Sequence, residues 1–120
     1  MDVRRRGANE TEQYGGRFTG AVRLDMLLEA ADASAPDTAL VHFDDGAVTF
    51  WHAHPGGQLL YLEAGVGRVG TESEEVTLRP GDLVHAPSGE RHWHGAAPGE
   101  RCTFLALTWG TTAWEENAPA

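Results

Sequence analysis

Hydrophobic and polar positions alternate along this chain in short runs, and each run ends at glycine, proline or aspartate. Val22, Leu24 and Met26 alternate with polar residues, the period of a strand buried on one face. Leu28-Glu29-Ala30-Ala31 breaks that period and predicts a short helical turn, followed by a loop from Asp32 to Asp37. Ala39-Leu40-Val41-His42-Phe43 predicts a strand closed by the turn Asp44-Asp45-Gly46. Ala47-Val48-Thr49-Phe50-Trp51 is rich in β-branched and aromatic residues and predicts another strand. It runs on to His54 and is interrupted by Pro55-Gly56-Gly57. Further strands are predicted over 58–63, 66–69, 75–78, 83–86, 91–96 and 102–109, with turns at Ala64-Gly65, 71–74, 79–82, 87–89 and 97–100. About nine or ten short strands with little helix make an all-β chain, which closes into a barrel or a double-sheet sandwich.

A length of 120 residues fits one domain. The pattern divides it into a polar arm over 1–16, loose or pinned at a subunit contact, a barrel over 17–110, and a tail over 111–120 that is polar apart from Trp114. Four tryptophans in so short a chain suggest that some cover a subunit interface, hence a homodimer. The net charge of -9 argues against nucleic acid, which wants a basic surface. All nine basic residues are Arg, so lysine Schiff-base chemistry is excluded. Cys102 is the single cysteine, which fits a reducing cytoplasm and a buried strand position. No apolar stretch reads as a signal peptide or a membrane span.

The histidines change the picture most. His52 and His54 are two apart in a predicted strand, so both imidazoles project to one face. A chain that turns back at Pro55 brings Gln58 beside them. His92 and His94 repeat the spacing. We read His52, His54, Gln58 and His92 as the ligands of one divalent metal, with His94 on the same strand face as His92. From the parity of His52 and Gln58, the residues expected to line the pocket or fill the barrel are Val48, Phe50, Leu60, Leu62, Phe104 and Ala106, joined by Val41 and Thr108. Trp51 and Trp93 have the opposite parity and should pack outside. His42 and His85 belong to no spaced pair and read as ordinary strand histidines.

Gly46, five residues, His52-Ala53-His54, three residues, Gln58, six residues and Gly65 resemble the first cupin motif. Gly81, five residues, Pro87-Ser88-Gly89, two residues, His92, three residues and Ala96 resemble the second. Two positions depart: Gln58 stands where the family has Glu, and Ala96 where it has Asn. The resemblance implies a double-stranded β-helix, or jelly-roll, barrel with one metal ion. Within the family, Trp51 to Gln58 and His92-Trp93-His94-Gly95 resemble small cupins that include manganese-dependent hydroxynitrile lyases and carboxymuconolactone-decarboxylase-like proteins. This implies manganese as the favoured ion and His94 as a candidate acid or base. Those lyases carry a further His on the last strand, where this chain has Phe104.

Three neutral His and a neutral Gln leave a divalent ion at formal +2, a strong Lewis acid that favours anionic ligands. Mn, Fe or Ni in octahedral geometry keeps open positions, whereas tetrahedral Zn would be filled. His94 either moves a proton near neutral pH or orients a ligand. The function expected is Lewis-acid proton transfer on a small molecule: a lyase, isomerase, decarboxylase or cyclase. An iron-dependent dioxygenase and a non-catalytic small-ligand-binding cupin are the alternatives.

Overall fold

The protein is described here by a computed structural model covering residues 1–13 and 16–120. Tyr14 and Gly15, inside the expected N-terminal arm, lie outside the described residues. Eleven strands are found among the described residues: β1 (Glu10–Gln13), β2 (Val22–Leu28), β3 (Asp37–Phe43), β4 (His52–Ala53), β5 (Gln58–Gly65), β6 (Gly67–Gly70), β7 (Glu75–Leu78), β8 (Leu83–Ala86), β9 (Trp93–Ala96), β10 (Cys102–Thr108) and β11 (Ala113–Trp114). Every strand pair is antiparallel. There is no helix among them, and none long and apolar enough to cross a membrane. The helical turn expected at Leu28 to Ala31 is absent: Leu28 pairs with Thr38 at the end of β2, after a register shift.

One sheet has the order β1-β2-β3-β10-β5-β8. The opposite layer is built from β7-β6-β9, from β4-β11, and from the chain between Ala47 and Thr49. Bridges Val48↔Gly95 and His52↔His92 join these pieces. The segment 1–16, expected as an arm either loose or pinned at a subunit contact, contributes β1, which pairs with β2 from Glu10↔Asp25 to Gln13↔Val22. The tail 111–120 is likewise recruited, since β11 pairs with β4.

The sequence explains why the metal-type residues gather at one end. Along β5 the inward residues are Gln58, Leu60 and Leu62, and along β10 they are Cys102, Phe104, Ala106 and Thr108. Pairing runs Gln58↔Thr108, Leu60↔Ala106 and Leu62↔Phe104. Each inner face therefore starts polar on one end and turns apolar on the other. Phe43, Leu60, Leu62 and Phe104 are fully buried and form the core with Val22, Ala47, Leu78 and Ala96. Burial of each large side chain is worth about 2 kcal/mol. β5 continues two residues past its expected end at Glu63, through Ala64 and Gly65, where a turn was expected. Gly65 ends it with φ 81, and a side chain there would collide with the Arg101 carbonyl, so only glycine fits.

Candidate metal centre

The expected continuous strand from Ala47 to His54 is instead two pieces with a bend at Trp51. Residues 47–49 bond to 94–96 on one side and to the segment around Phe18 on the other: Thr49 N donates to His94 O at 2.8 Å and Thr19 N to Val48 O at 2.9 Å. Past the bend, the partner changes to the C-terminal tail, with Trp51 N donating to Asn117 O at 3.1 Å and Glu115 N to Trp51 O at 2.9 Å. His52 and His92 exchange both backbone hydrogen bonds, each at 2.9 Å. Such directly opposed residues send their side chains to the same face. Their ring centroids are 4.4 Å apart, and His54 lies 4.9 Å from His52 and 5.3 Å from His92.

One nitrogen from each of these three buried rings lies within 4.8 Å of the others. The tautomers of His52 and His92 follow from the backbone. His52 Nδ1 donates to Phe50 O at 2.8 Å and His92 Nδ1 to Glu90 O at 3.0 Å. His54 Nδ1 meets Thr112 Oγ1 at 3.0 Å. In His52 and His92, Nε2 is then left with its lone pair, the state in which imidazole binds a metal. His54 Nε2 is buried without a hydrogen-bond partner, which is costly unless something else satisfies it. His92 Nε2 faces Gln58 Oε1 at 3.0 Å, while the Gln58 amide nitrogen donates to Thr108 Oγ1 at 2.9 Å. Two acceptors turned on one another repel unless a cation or a proton lies against both. The donor set thus fits a divalent cation.

Burial keeps these rings neutral. Desolvation, aided by the neighbouring His92, pushes His52 down to about 3 and His54 to about 4. Desolvation lowers His92 as well. His94 lies well below its ordinary value, first through burial and then through the nearby His52, His92 and His54. It sits edge-on between Phe43 and Phe104, with centroids at 5.6 and 5.3 Å, and 5.4 Å from His52. Its Nδ1 is buried with no hydrogen-bond partner.

His52, His54, Gln58 and His94 open onto a cavity of about 160 Å³. Val41, Ala106 and Thr108, expected in the pocket, line it. Val48, Phe50, Leu60, Leu62 and Phe104 do not. The bend at Trp51 shifts the parity, so Thr49 rather than Val48 or Phe50 faces inward with His52. Leu60, Leu62 and Phe104 lie farther along the same inner faces, in the core. The remaining wall comes from residues that sequence reasoning missed: Phe18, Leu24, Met26, Asp37, Thr112 and Trp114 among them. A signal existed for the last two, since Thr112 and Trp114 alternate in an otherwise polar tail. Trp51 carries the Arg91 guanidinium 3.8 Å above its ring, and Trp93 is buried against Gly70, outside the cavity. His42 bonds Thr103 Oγ1 at 2.8 Å, and His85 is exposed.

Residues 39–108 match the family described as the cupin domain. Over 111 residues the chain is 43% identical to the (R)-mandelonitrile lyase of Granulicella tundricola, with 89% of this chain and 83% of that protein covered. A cupin-like protein of Thermotoga maritima has a similar structure, with a TM-score of 0.84 and 32% identity, over 98% of this chain and 90% of that one. An acetylacetone dioxygenase of Acinetobacter johnsonii shares the fold at a TM-score of 0.79 and 20% identity, over 100% of this chain and 83% of that one.

Proposed function

The chain belongs to the cupin family, and on that premise we propose that it is a divalent-metal-dependent enzyme acting on a small molecule by Lewis-acid-assisted proton transfer. The reaction is of the lyase, isomerase, decarboxylase or cyclase type. One observation carries the reading: three imidazole nitrogens and an amide oxygen converge beside a buried histidine with a free nitrogen. His52, His54, Gln58 and His92 would hold the ion, with manganese favoured by the lyase resemblance. Bound there at formal +2, it would polarise an oxygen or nitrogen of the substrate and stabilise developing negative charge. His94 is neutral at pH 7, so its Nδ1 accepts a proton from the substrate and returns it to the product.

The cavity wall limits what fits. A dry cavity of about 150 Å³ takes one benzene, and this one measures about 160 Å³. Phe18, Leu24, Met26, Val41 and Phe43 form an apolar side, and Thr49, Thr108 and Thr112 supply hydroxyls. A single ring or a short branched chain bearing a hydroxyl, carbonyl or nitrile suits that lining. Mandelonitrile, named for the lyase relative, is therefore the first probe.

The test is elemental analysis of untagged protein, followed by turnover assays with each candidate metal in the presence and absence of oxygen. Metal-dependent, oxygen-independent conversion of a small hydroxynitrile or carbonyl compound is the expected result. Activity that requires Fe(II) and consumes oxygen would replace this reading with a dioxygenase. Tight binding of small ligands without conversion would replace it with a carrier.

A further inference from the structure

The C-terminal segment carries more of the centre than a tail should. Strand β11 lies beside β4, with Ala113↔Ala53 and Trp114↔His52 in register. The Trp114 ring rests 4.7 Å from the His52 ring and is itself held by Phe18 at 5.8 Å and the Arg17 guanidinium at 5.3 Å. The next residue, Glu115, pairs with Arg91. Before β11, Trp109 exchanges backbone bonds with the Gly56-Gly57 turn, at 3.0 Å from Gly56 N to Trp109 O and 3.1 Å from Trp109 N to Gly57 O, so the chain is fixed on both sides of Thr112.

Thr112 Oγ1 is 3.0 Å from His54 Nδ1. The other two histidines have their Nδ1 bound by carbonyls of their own strands, two residues away. His54 has no such carbonyl and takes its partner from a residue 58 positions further along. We infer that Thr112 is a positioning residue of the metal centre, whose hydroxyl accepts the His54 Nδ1 proton and so turns the buried, unpartnered Nε2 toward the shared site. This rests on the metal reading above and extends it to a segment outside both histidine motifs. Without the hydroxyl, the imidazole can carry its proton on either nitrogen and can rotate, and both changes weaken ligation.

The experiment compares the wild type with Thr112→Val and Thr112→Ser, in the full chain. Mn(II) alone is the probe, with affinity read by chelator competition and the His54 tautomer read by nitrogen-15 NMR of the metal-free protein. Thr112→Val keeps the side-chain volume and should weaken Mn(II) binding about 10- to 100-fold, with loss of the single Nδ1–H tautomer. Thr112→Ser should restore both. Wild-type affinity and tautomer in Thr112→Val would overturn the role of Thr112 alone. Equal loss in Thr112→Ser and Thr112→Val would assign the effect to packing and overturn it too. A wild-type chain that binds no Mn(II) would remove the metal reading, and this inference with it.

Discussion

His94 differs from His52, His54 and His92 in one respect. They each have Nδ1 fixed by a hydrogen bond, and it does not. Phe43 and Phe104 hold its ring by edge contacts, which fix orientation without taking up a nitrogen. A ring so placed can exchange a proton, whereas a ring bound on both nitrogens cannot. His94→Ala should lower turnover by about 10²- to 10⁴-fold and leave metal stoichiometry unchanged. Normal turnover in that variant, with full metal, would show that the proton moves elsewhere. Gln58 lends itself to the opposite experiment. Its amide nitrogen is turned to Thr108 and its oxygen to His92. In Gln58→Glu the Thr108 hydroxyl can donate instead, and the added negative charge should raise metal affinity. The same charge should reduce Lewis acidity and slow turnover. Chelator titration beside steady-state kinetics checks both signs. The three-histidine group was legible in the sequence, because the alternation of His52 and His54 is local and is repeated at His92 and His94. The Nδ1 partners were not, since a carbonyl two residues away shows only once the backbone is bent.

Among the elements, the segment around Trp51 departs most from expectation. A continuous strand predicts Val48 and Phe50 inward with His52. The bend makes Thr49 the inward residue, because 47–49 pair with 94–96 and 51–53 pair with 92 and the C-terminal tail. The change of partner is long-range, so no local propensity announces it. The same cause hid Leu24 and Met26 of β2, whose place in the wall depends on pairing with β3. By contrast Val41, Ala106 and Thr108 could be read, because parity along β3 and β10 is unbroken over the stretch that matters. Gly95 is the tightest point of this arrangement. A Cβ there would strike the Ala47 carbonyl and the Val48 backbone, so the Val48↔Gly95 bridge needs glycine for its close approach. Gly95→Ala should destabilise the protein by about 1–3 kcal/mol, the usual cost of overpacking, and displace His94 from the cavity. Thermal melting together with Mn(II) affinity would check it. Lost stability with unaltered affinity would mean that the strain is absorbed away from the histidines.

Across the whole molecule, three of the four tryptophans that suggested a subunit interface have a partner for their ring within the subunit. Trp51 lies under Arg91, Trp93 packs on Gly70 and Trp114 covers His52, while Trp109 accepts a bond from Gly56 N through its carbonyl. The barrel's division into an apolar end and a histidine end has a consequence for acid stability. Burial is the first cause that lowers His52 to about 3 and His54 to about 4, and it also lowers His92 and His94. In the unfolded chain the same groups bind protons near pH 6.5. Between that value and the folded values, the unfolded state holds more protons, so stability rises with pH. The contribution is complete above about pH 6.5 and is lost as pH falls toward the folded values. His52 and His54 each add a slope approaching about 1.4 kcal/mol per pH unit in that window, and His92 and His94 act in the same direction. Together they make a steep dependence for a domain whose total stability is of order 5–15 kcal/mol. The metal-free protein should therefore melt at progressively lower temperature from pH 7 to pH 5, before most carboxylates titrate. Calorimetry on chelator-treated protein tests this, with His94→Phe expected to flatten the slope. A melting temperature constant across that range would mean that the rings are protonated inside the fold, and would contradict the neutral donor set on which the centre depends.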